Sequence, residues 1–236
     1  MFEEPDLVEL LKDWEGKPTK AFLSWICEEW GKDLLIVTSL QTQSLPLLHM
    51  LSEVSPGSEV TFLDTGFHFS ETIEFKETLE QILELRIKVL TNEGGNSAPS
   101  LWSVSPSRCC QENKVAPFEK ALSNSLAWLT GIRRDQTQFR KNIQLVQRDE
   151  RGLLKFCPMA FWTAEEISSY IKREKLPRHP LDSRGYTSIG CRPCTSVPKP
   201  GGDWRGGRWA GREKTECGLH RGSEQIIAQS NTELDK

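Results

Sequence analysis

Five of the seven cysteines in this 236-residue chain are grouped: Cys109-Cys110, then Cys191-Arg192-Pro193-Cys194, then Cys217 inside Glu216-Cys217-Gly218-Leu219-His220. Two thiolates at C-x2-C spacing lie on one tight turn and can share a metal centre, and a second pair completes a tetrahedral or cubane site. Zinc and iron-sulfur both satisfy that pattern. Adjacent cysteines add a condition, because in a strand they point to opposite faces and in a helical turn their directions differ by only about 100°. One centre can take both Cys109 and Cys110 only where the backbone is helical or kinked. Cys217 has Lys214, His220 and Arg221 within four positions, a neighbourhood that favours thiolate over thiol and suits a nucleophile. Cys27 and Cys157 lie among Trp25, Ile26, Phe156 and Met159 and read as small apolar residues.

Charge is distributed unevenly. Residues 1–100 carry 7 Lys/Arg against 18 Asp/Glu, while residues 172–221 carry 12 against 5, so the basic half is expected to face an anion. The start, Met1-Phe2-Glu3-Glu4-Pro5-Asp6, lacks the basic-then-apolar order of a signal peptide, and no apolar run reaches membrane-spanning length. A cytoplasmic location is expected, where clustered thiols are ligands or redox groups rather than disulfides. Of the histidines, His49 reads as structural, His68 is left open, and His220 carries the functional expectation.

These side chains need elements to position them. Asp33 to Thr38 reads as a buried strand, then a polar turn from Ser39 to Gln43, then an apolar helical run from Leu45 to Leu51. The unit repeats: strand Val60–Leu63 ends in Asp64-Thr65-Gly66, and Ser70 is expected to cap a helix. Leu85 to Leu90 alternates as a strand, Pro117 to Leu122 is helical, and the strand Leu126–Thr130 ends at the charged loop Gly131 to Gln136. Thr163-Ala164-Glu165-Glu166 is a capping box opening a helix to about Lys172. Strands alternating with helices predict an α/β fold, a mainly parallel sheet covered on both faces, with ligands beyond the strand C-terminal ends. The length bounds one α/β domain over 1–196. A basic, glycine-rich segment over 197–221 is expected to be mobile, and 222–236 is expected to be a disordered polar end.

In their order, several motifs over about residues 33–221 resemble the assimilatory phosphosulfate reductases, which act on adenylyl sulfate (APS) or phosphoadenylyl sulfate (PAPS). They are Leu63-Asp64-Thr65-Gly66, Cys109-Cys110 with Lys114-Val115-Ala116-Pro117, and Gly131-Ile132-Arg133-Arg134-Asp135-Gln136. They continue through Arg184 to Thr195, Gly207-Arg208-Trp209, and Lys214 to His220. The resemblance implies an adenine nucleotide alpha-hydrolase-like fold related to the ATP pyrophosphatases. It also implies a 4Fe-4S cluster on Cys109, Cys110, Cys191 and Cys194, and Cys217 as the nucleophile that takes the sulfo group. Thioredoxin or glutaredoxin then releases sulfite. It further implies Lys114, Arg133, Arg134, Arg205, Arg208 and His220 at the phosphosulfate end, Ser39 in the cradle, and Asp64, Thr65 and Gly66 near the adenosine. A thiolate attacking a sulfur ringed by anionic oxygens is repelled unless cations neutralise the group.

Two features depart from the pattern or divide it. The turn Ser39-Leu40-Gln41-Thr42-Gln43-Ser44 lacks the glycines of pyrophosphatase loops, which argues against ATP hydrolysis. Gln43-Ser44 resembles the PAPS-type loop, whereas the cysteine quartet favours APS. The expected function is therefore a thioredoxin-linked APS reductase making sulfite and AMP for cysteine biosynthesis, with PAPS or dual use as the alternative and a homo-oligomer left open. From a different class stands a zinc-bound nucleic-acid module using Trp204-Arg205-Gly206-Gly207-Arg208-Trp209. The lack of a long repetitive RGG tract counts against it.

Overall fold

The computed structural model describes residues 4–94 and 100–220. In chain order the helices are α1 (Glu4–Trp14), α2 (Thr19–Trp30), α3 (Leu45–Val54), α4 (Ser70–Leu83), α5 (Leu101–Val104), α6 (Pro106–Cys110), α7 (Ala116–Leu122) and α8 (Ala164–Arg173). The strands are β1 (Leu34–Thr38), β2 (Glu59–Leu63), β3 (Arg86–Leu90), β4 (Ala127–Thr130), β5 (Val146–Arg148) and β6 (Leu154–Phe156). They form one sheet in the order β3-β2-β1-β4-β6-β5, parallel throughout except for β5 against β6.

Side chains alternate across each strand, and this divides the core. Leu34, Ile36, Val60, Phe62, Ile87, Ala127, Leu129, Leu154 and Phe156 face the larger core, built with apolar residues of α2, α3, α4 and α8. Val37, Leu63 and Trp128 face the other side, where Phe118 and Leu122 of α7 cover them and Leu219 packs from the C-terminal segment. Both faces are covered, as a mainly parallel sheet requires.

Most expected elements lie within a residue or two of their predicted bounds. The capping box at Thr163 is present, with Glu166 N donating to Thr163 Oγ1 at 3.2 Å and Thr163 N to Glu166 Oε2 at 2.7 Å. Ser70 differs from the expectation: it is the first helical residue, Phe69 holds the cap position, and the serine hydroxyl bonds to Glu71. Strands β5 and β6 went unpredicted. Each is three residues long, and Lys155 at the centre of β6 conceals its apolar pattern by lying buried over the Trp128 ring at 4.8 Å.

The glycine-rich stretch is tied by backbone contacts to the turn that carries Cys191 and Cys194. Thr195 bridges Arg208 in antiparallel fashion, Ser196 N donates to Gly207 O at 2.8 Å, and Trp209 N donates to Cys194 O at 3.0 Å. Gly207 is required by close approach, since a Cβ there would stand 1.9 Å from Ser196 O. Gly207→Ala is therefore expected to destabilise the protein by roughly 1–3 kcal/mol, read as a lowered Tm together with faster tryptic cleavage at Arg205 and Arg208. Unchanged melting and cleavage would remove the close-packing account. Arg221 and the polar end 222–236 lie outside the described residues.

Candidate active site

Because β1, β2 and β4 run parallel, their C-terminal ends meet at one edge, and the chain builds β2 and β3 outward on one side of β1 before crossing back to place β4 on the other. A crevice opens at such a switch point. Here its walls include Ser39, Gln41, Gln43 and Ser44 after β1, Gly131 and Ile132 after β4, and His68 after β2. The opposite wall is Lys114, Arg140, Arg205, Arg208, Trp209, Glu216, Cys217 and His220. These walls enclose a single crevice, open to solvent, at the C-terminal edge of the sheet.

The first loop solves a backbone problem without glycine. Leu40 takes a left-handed conformation at φ 54° while its side chain is fully buried. Ser44 N donates to Gln41 O at 2.8 Å, closing a tight turn. Gln41 Oε1 accepts from Ile189 N at 2.8 Å, and Gln43 Oε1 accepts from Arg133 Nη1 at 2.7 Å. The loop is thus braced from both sides.

Behind the basic wall lies a second, smaller pocket lined by Cys109, Cys110, Cys191 and Cys194 together with Thr65, Trp102, Lys114, Arg208, Trp209 and Cys217. Cys109 and Cys110 end helix α6, which meets the backbone condition for two neighbours to face one centre, and a π-helical turn, Gln111–Val115, comes next. Thr65 Oγ1 lies 3.1 Å from Cys191 Sγ, and Arg192 N donates to Phe67 O at 2.7 Å, tying the β2 loop to the Cys191–Cys194 turn. All seven cysteines are free thiols. Burial pushes Cys109 and Cys194 above the usual thiol range and Cys110 up to about 12. Among the described residues, no three His, Cys, Asp or Glu side chains close on a point as ligands of a single ion do. Four thiols lining the walls of a shared pocket fit a polynuclear cluster, one thiolate per iron.

Cys217 and Lys114 border both pockets. Burial alone would raise the Cys217 thiol, but Lys114 and the Leu219 backbone N–H outweigh it and hold the thiol below its usual range. Burial would lower Lys114, yet Cys217, Cys191 and Cys110 carry it above the usual ammonium range. Among the described residues Lys114 Nζ makes no hydrogen bond or ion pair, so its charge stays available to the crevice. Arg208 Nη1 donates to Ile189 O at 3.1 Å, and the guanidinium occupies space that a Cβ on Gly190 would take, 2.3 Å from Nη2.

The remaining expected residues separate. Arg133 is buried and spent on Asp135, Trp162 O and Gln43, and Arg134 bonds to Ile143 O and Gln144 with its guanidinium over Phe161. Neither lines the crevice; Arg140, from the same loop, does. Asp64 accepts from Gly66 N in a local turn, and Thr65 belongs to the cysteine pocket; none of Asp64, Thr65 and Gly66 borders the crevice. His220 does border it, stacked flat on Trp128 at 5.6 Å. Burial, with Lys155, Arg140, Arg205 and Lys114 nearby, holds its pKa well below the usual value.

Sequence reasoning missed Arg140 and Glu216 and left His68 open. Glu216 had one signal, being an acid inside a basic stretch and therefore in need of a buried partner. His68 donates through Nε2 to Leu63 O at 3.1 Å, and burial, with Lys114 second to it, lowers its pKa to about 3. Among the described residues its Nδ1 is buried without a partner, as is Trp209 Nε1.

Residues 33–197 match the family described as phosphoadenosine phosphosulfate reductase domain. The chain is 38% identical over 227 residues to adenosine 5'-phosphosulfate reductase of Bacillus cereus (strain 03BB102), covering 93% of this chain and 97% of that protein. It is 40% identical over 208 residues to adenosine 5'-phosphosulfate reductase 2 of Bacillus subtilis (strain 168), covering 84% and 88%. Among solved structures, phosphoadenylyl-sulfate reductase from Candida auris superposes with TM-score 0.74 at 22% identity, over 83% of this chain and 98% of that one. FMN adenylyltransferase of Candida glabrata superposes with TM-score 0.60 at 14% identity, over 98% and 84%. At these identities the two structures establish the fold alone, a mainly parallel sheet with helices on both faces, as expected from the sequence.

Proposed function

Since this chain belongs to the phosphoadenosine phosphosulfate reductase family, we propose that it reduces adenylyl sulfate to sulfite and AMP through an S-sulfo intermediate on Cys217, with a thioredoxin-type dithiol as reductant. The observation that carries this reading is the position of Cys217, a half-buried thiol of depressed pKa bordering both a cation-lined crevice and a four-cysteine pocket.

The steps derive from the walls. The nucleotide lies along the Ser39–Ser44 loop and Gly131–Ile132, and its phosphosulfate reaches Lys114, Arg205 and Arg208. The Cys217 thiolate attacks the sulfate sulfur, an S–S bond forms, the S–O bond to AMP breaks, and its electron pair leaves on the phosphate oxygen. The cations neutralise sulfate oxygens that would otherwise repel the thiolate. A thiolate of the dithiol then attacks Cys217 Sγ, releasing sulfite and forming a mixed disulfide, and its second thiol resolves that disulfide. Cys109, Cys110, Cys191 and Cys194 would hold a 4Fe-4S cluster, which when bound brings its own charge to the wall behind Lys114. No described helix is long and apolar enough to cross a membrane, in keeping with the cytoplasmic site we infer.

Mixing the enzyme with APS and no reductant is expected to add one SO3 to the intact mass on Cys217, and rates with APS should exceed those with PAPS. Absence of an adduct from both nucleotides would overturn the covalent route; a faster rate with PAPS would move the substrate to the 3'-phosphorylated nucleotide, the choice favoured by Gln43-Ser44. Anaerobically purified protein should carry about four irons per chain. Cys110→Ser or Cys191→Ser should lose most of them, and a variant that retained full iron would remove that residue from the ligand set.

A further inference from the structure

Residues 213–220 carry the nucleophile, yet among the described residues no backbone–backbone hydrogen bond ties them to the rest of the chain. Side chains hold them instead. Lys214 Nζ reaches Ser107 Oγ at 3.3 Å, His220 stacks on Trp128, and Leu219 packs on the smaller core. The densest attachment is at Glu216, only 1% exposed and immediately before Cys217. Glu216 Oε1 accepts from Arg140 Nε at 2.9 Å and from Thr137 Oγ1 at 3.1 Å, and Oε2 accepts from Arg140 Nη2 at 2.6 Å. Arg205 Nη2 stands 3.9 Å from Oε2. Arg140 is itself buried, and its Nη1 bonds to Gln136 Oε1, which also accepts from Arg133 N. The pair is a two-pronged fork joining the loop after β4 to the residue beside the thiol. Gly211 and Gly218, at φ 77° and 96°, bracket the segment it holds.

We propose that Arg140 and Glu216 are positioning residues: their ion pair seats Cys217 at the sulfo group of the substrate and must part before a reductant protein can reach the Cys217 sulfur. A half-buried thiol facing the crevice cannot meet a second protein at the same time. For the two reaction steps this assignment rests on the function proposed above; for the seating of the thiol it does not. Removing the pair therefore slows the first half-reaction without slowing the second, which a general loss of fold would not produce.

The test uses the full chain purified without air, with Glu216→Gln and the double variant Arg140→Gln/Glu216→Gln. The double variant removes both buried charges and serves where the single one fails to fold. Three rates are read: alkylation of Cys217 by iodoacetamide without substrate, monitored by peptide mass; formation of the S-sulfo adduct with APS; and its release by thioredoxin. Loss of the pair should raise alkylation at least severalfold and slow adduct formation by roughly 10- to 100-fold, the scale of a misplaced reacting group, while release by thioredoxin is unchanged or faster. Restoring a carboxylate with Glu216→Asp should recover part of the adduct rate. Folded variants whose Cys217 is alkylated no faster than in the parent would overturn the proposal, as would release slowed in step with adduct formation. If the parent chain forms no adduct, the functional reading fails, and the alkylation rates still decide whether the pair seats the thiol.

Discussion

Cys217→Ser is expected to abolish sulfite formation, by about four orders of magnitude or more, while bound iron stays at the parental level. Two effects act together. Serine has no ionisation in reach of neutral pH, and the Lys114 ammonium that favours a thiolate at this position cannot supply an alkoxide. Even a slow attack through Oγ would join oxygen to sulfur. The product would be a sulfate ester, in which no S–S bond exists for a dithiol to cleave, so sulfite could not leave from it. Assaying sulfite with APS and thioredoxin, and iron in parallel, separates the two properties. Residual turnover above that of the buffer would remove Cys217 from the nucleophile's role, and iron loss would show that the thiol also supports the four-cysteine pocket it borders.

Lys114→Gln is expected to have the next largest effect, slowing adduct formation by about 10²- to 10³-fold. Its ammonium faces the crevice with no competing partner among the described residues, and it is the strongest influence opposing burial at Cys217. Without it, burial dominates and the thiol moves up. Adduct formation needs the thiolate, so its rate rises with pH through the Cys217 pKa. In the parent that rise lies below the ordinary thiol range; in Lys114→Gln it should move to higher pH, and raising the pH should recover part of the lost rate. A pH profile of adduct formation by rapid-quench mass measurement checks this. A rise at the same pH in both proteins would mean that Lys114 acts on the substrate alone.

The sheet was legible in the chain because its central strands are plain apolar runs ended by polar turns, and parallel pairing then places Ser39, Leu63 and Gly131 at one edge whatever the details. The cysteines were legible as two pairs and a single thiol. Which arginines would face the crevice was not. Arg133, Arg134 and Arg140 occupy one loop, and their directions depend on acceptors outside any local pattern: Gln43 for Arg133, Ile143 O for Arg134 and Glu216 for Arg140. Thr65 was read with the nucleotide because it lies just past a strand end, yet its hydroxyl turns to Cys191, 126 positions on. The glycine-rich stretch was read through the flexibility of glycine, whereas Gly207 is required by a close backbone approach.

The π-helical turn between Cys110 and Ala116 makes this part of the chain a ruler. A π turn carries one residue more than the α-helix it interrupts, and each added residue rotates the next side chain by about 100°. The extra residue here lets three requirements be met in ten positions: Cys109 and Cys110 facing the shared pocket, Lys114 facing the thiol, and Val115 and Phe118 buried. Asn113 secures the phase, its Nδ2 donating to the Cys109 carbonyl at 3.0 Å. The spacing from Cys110 to Phe118 is therefore set by angle as much as by distance. Any chain that keeps both the cysteine pair and the lysine must also keep the count between them, so a gained or lost residue there changes which wall each side chain serves.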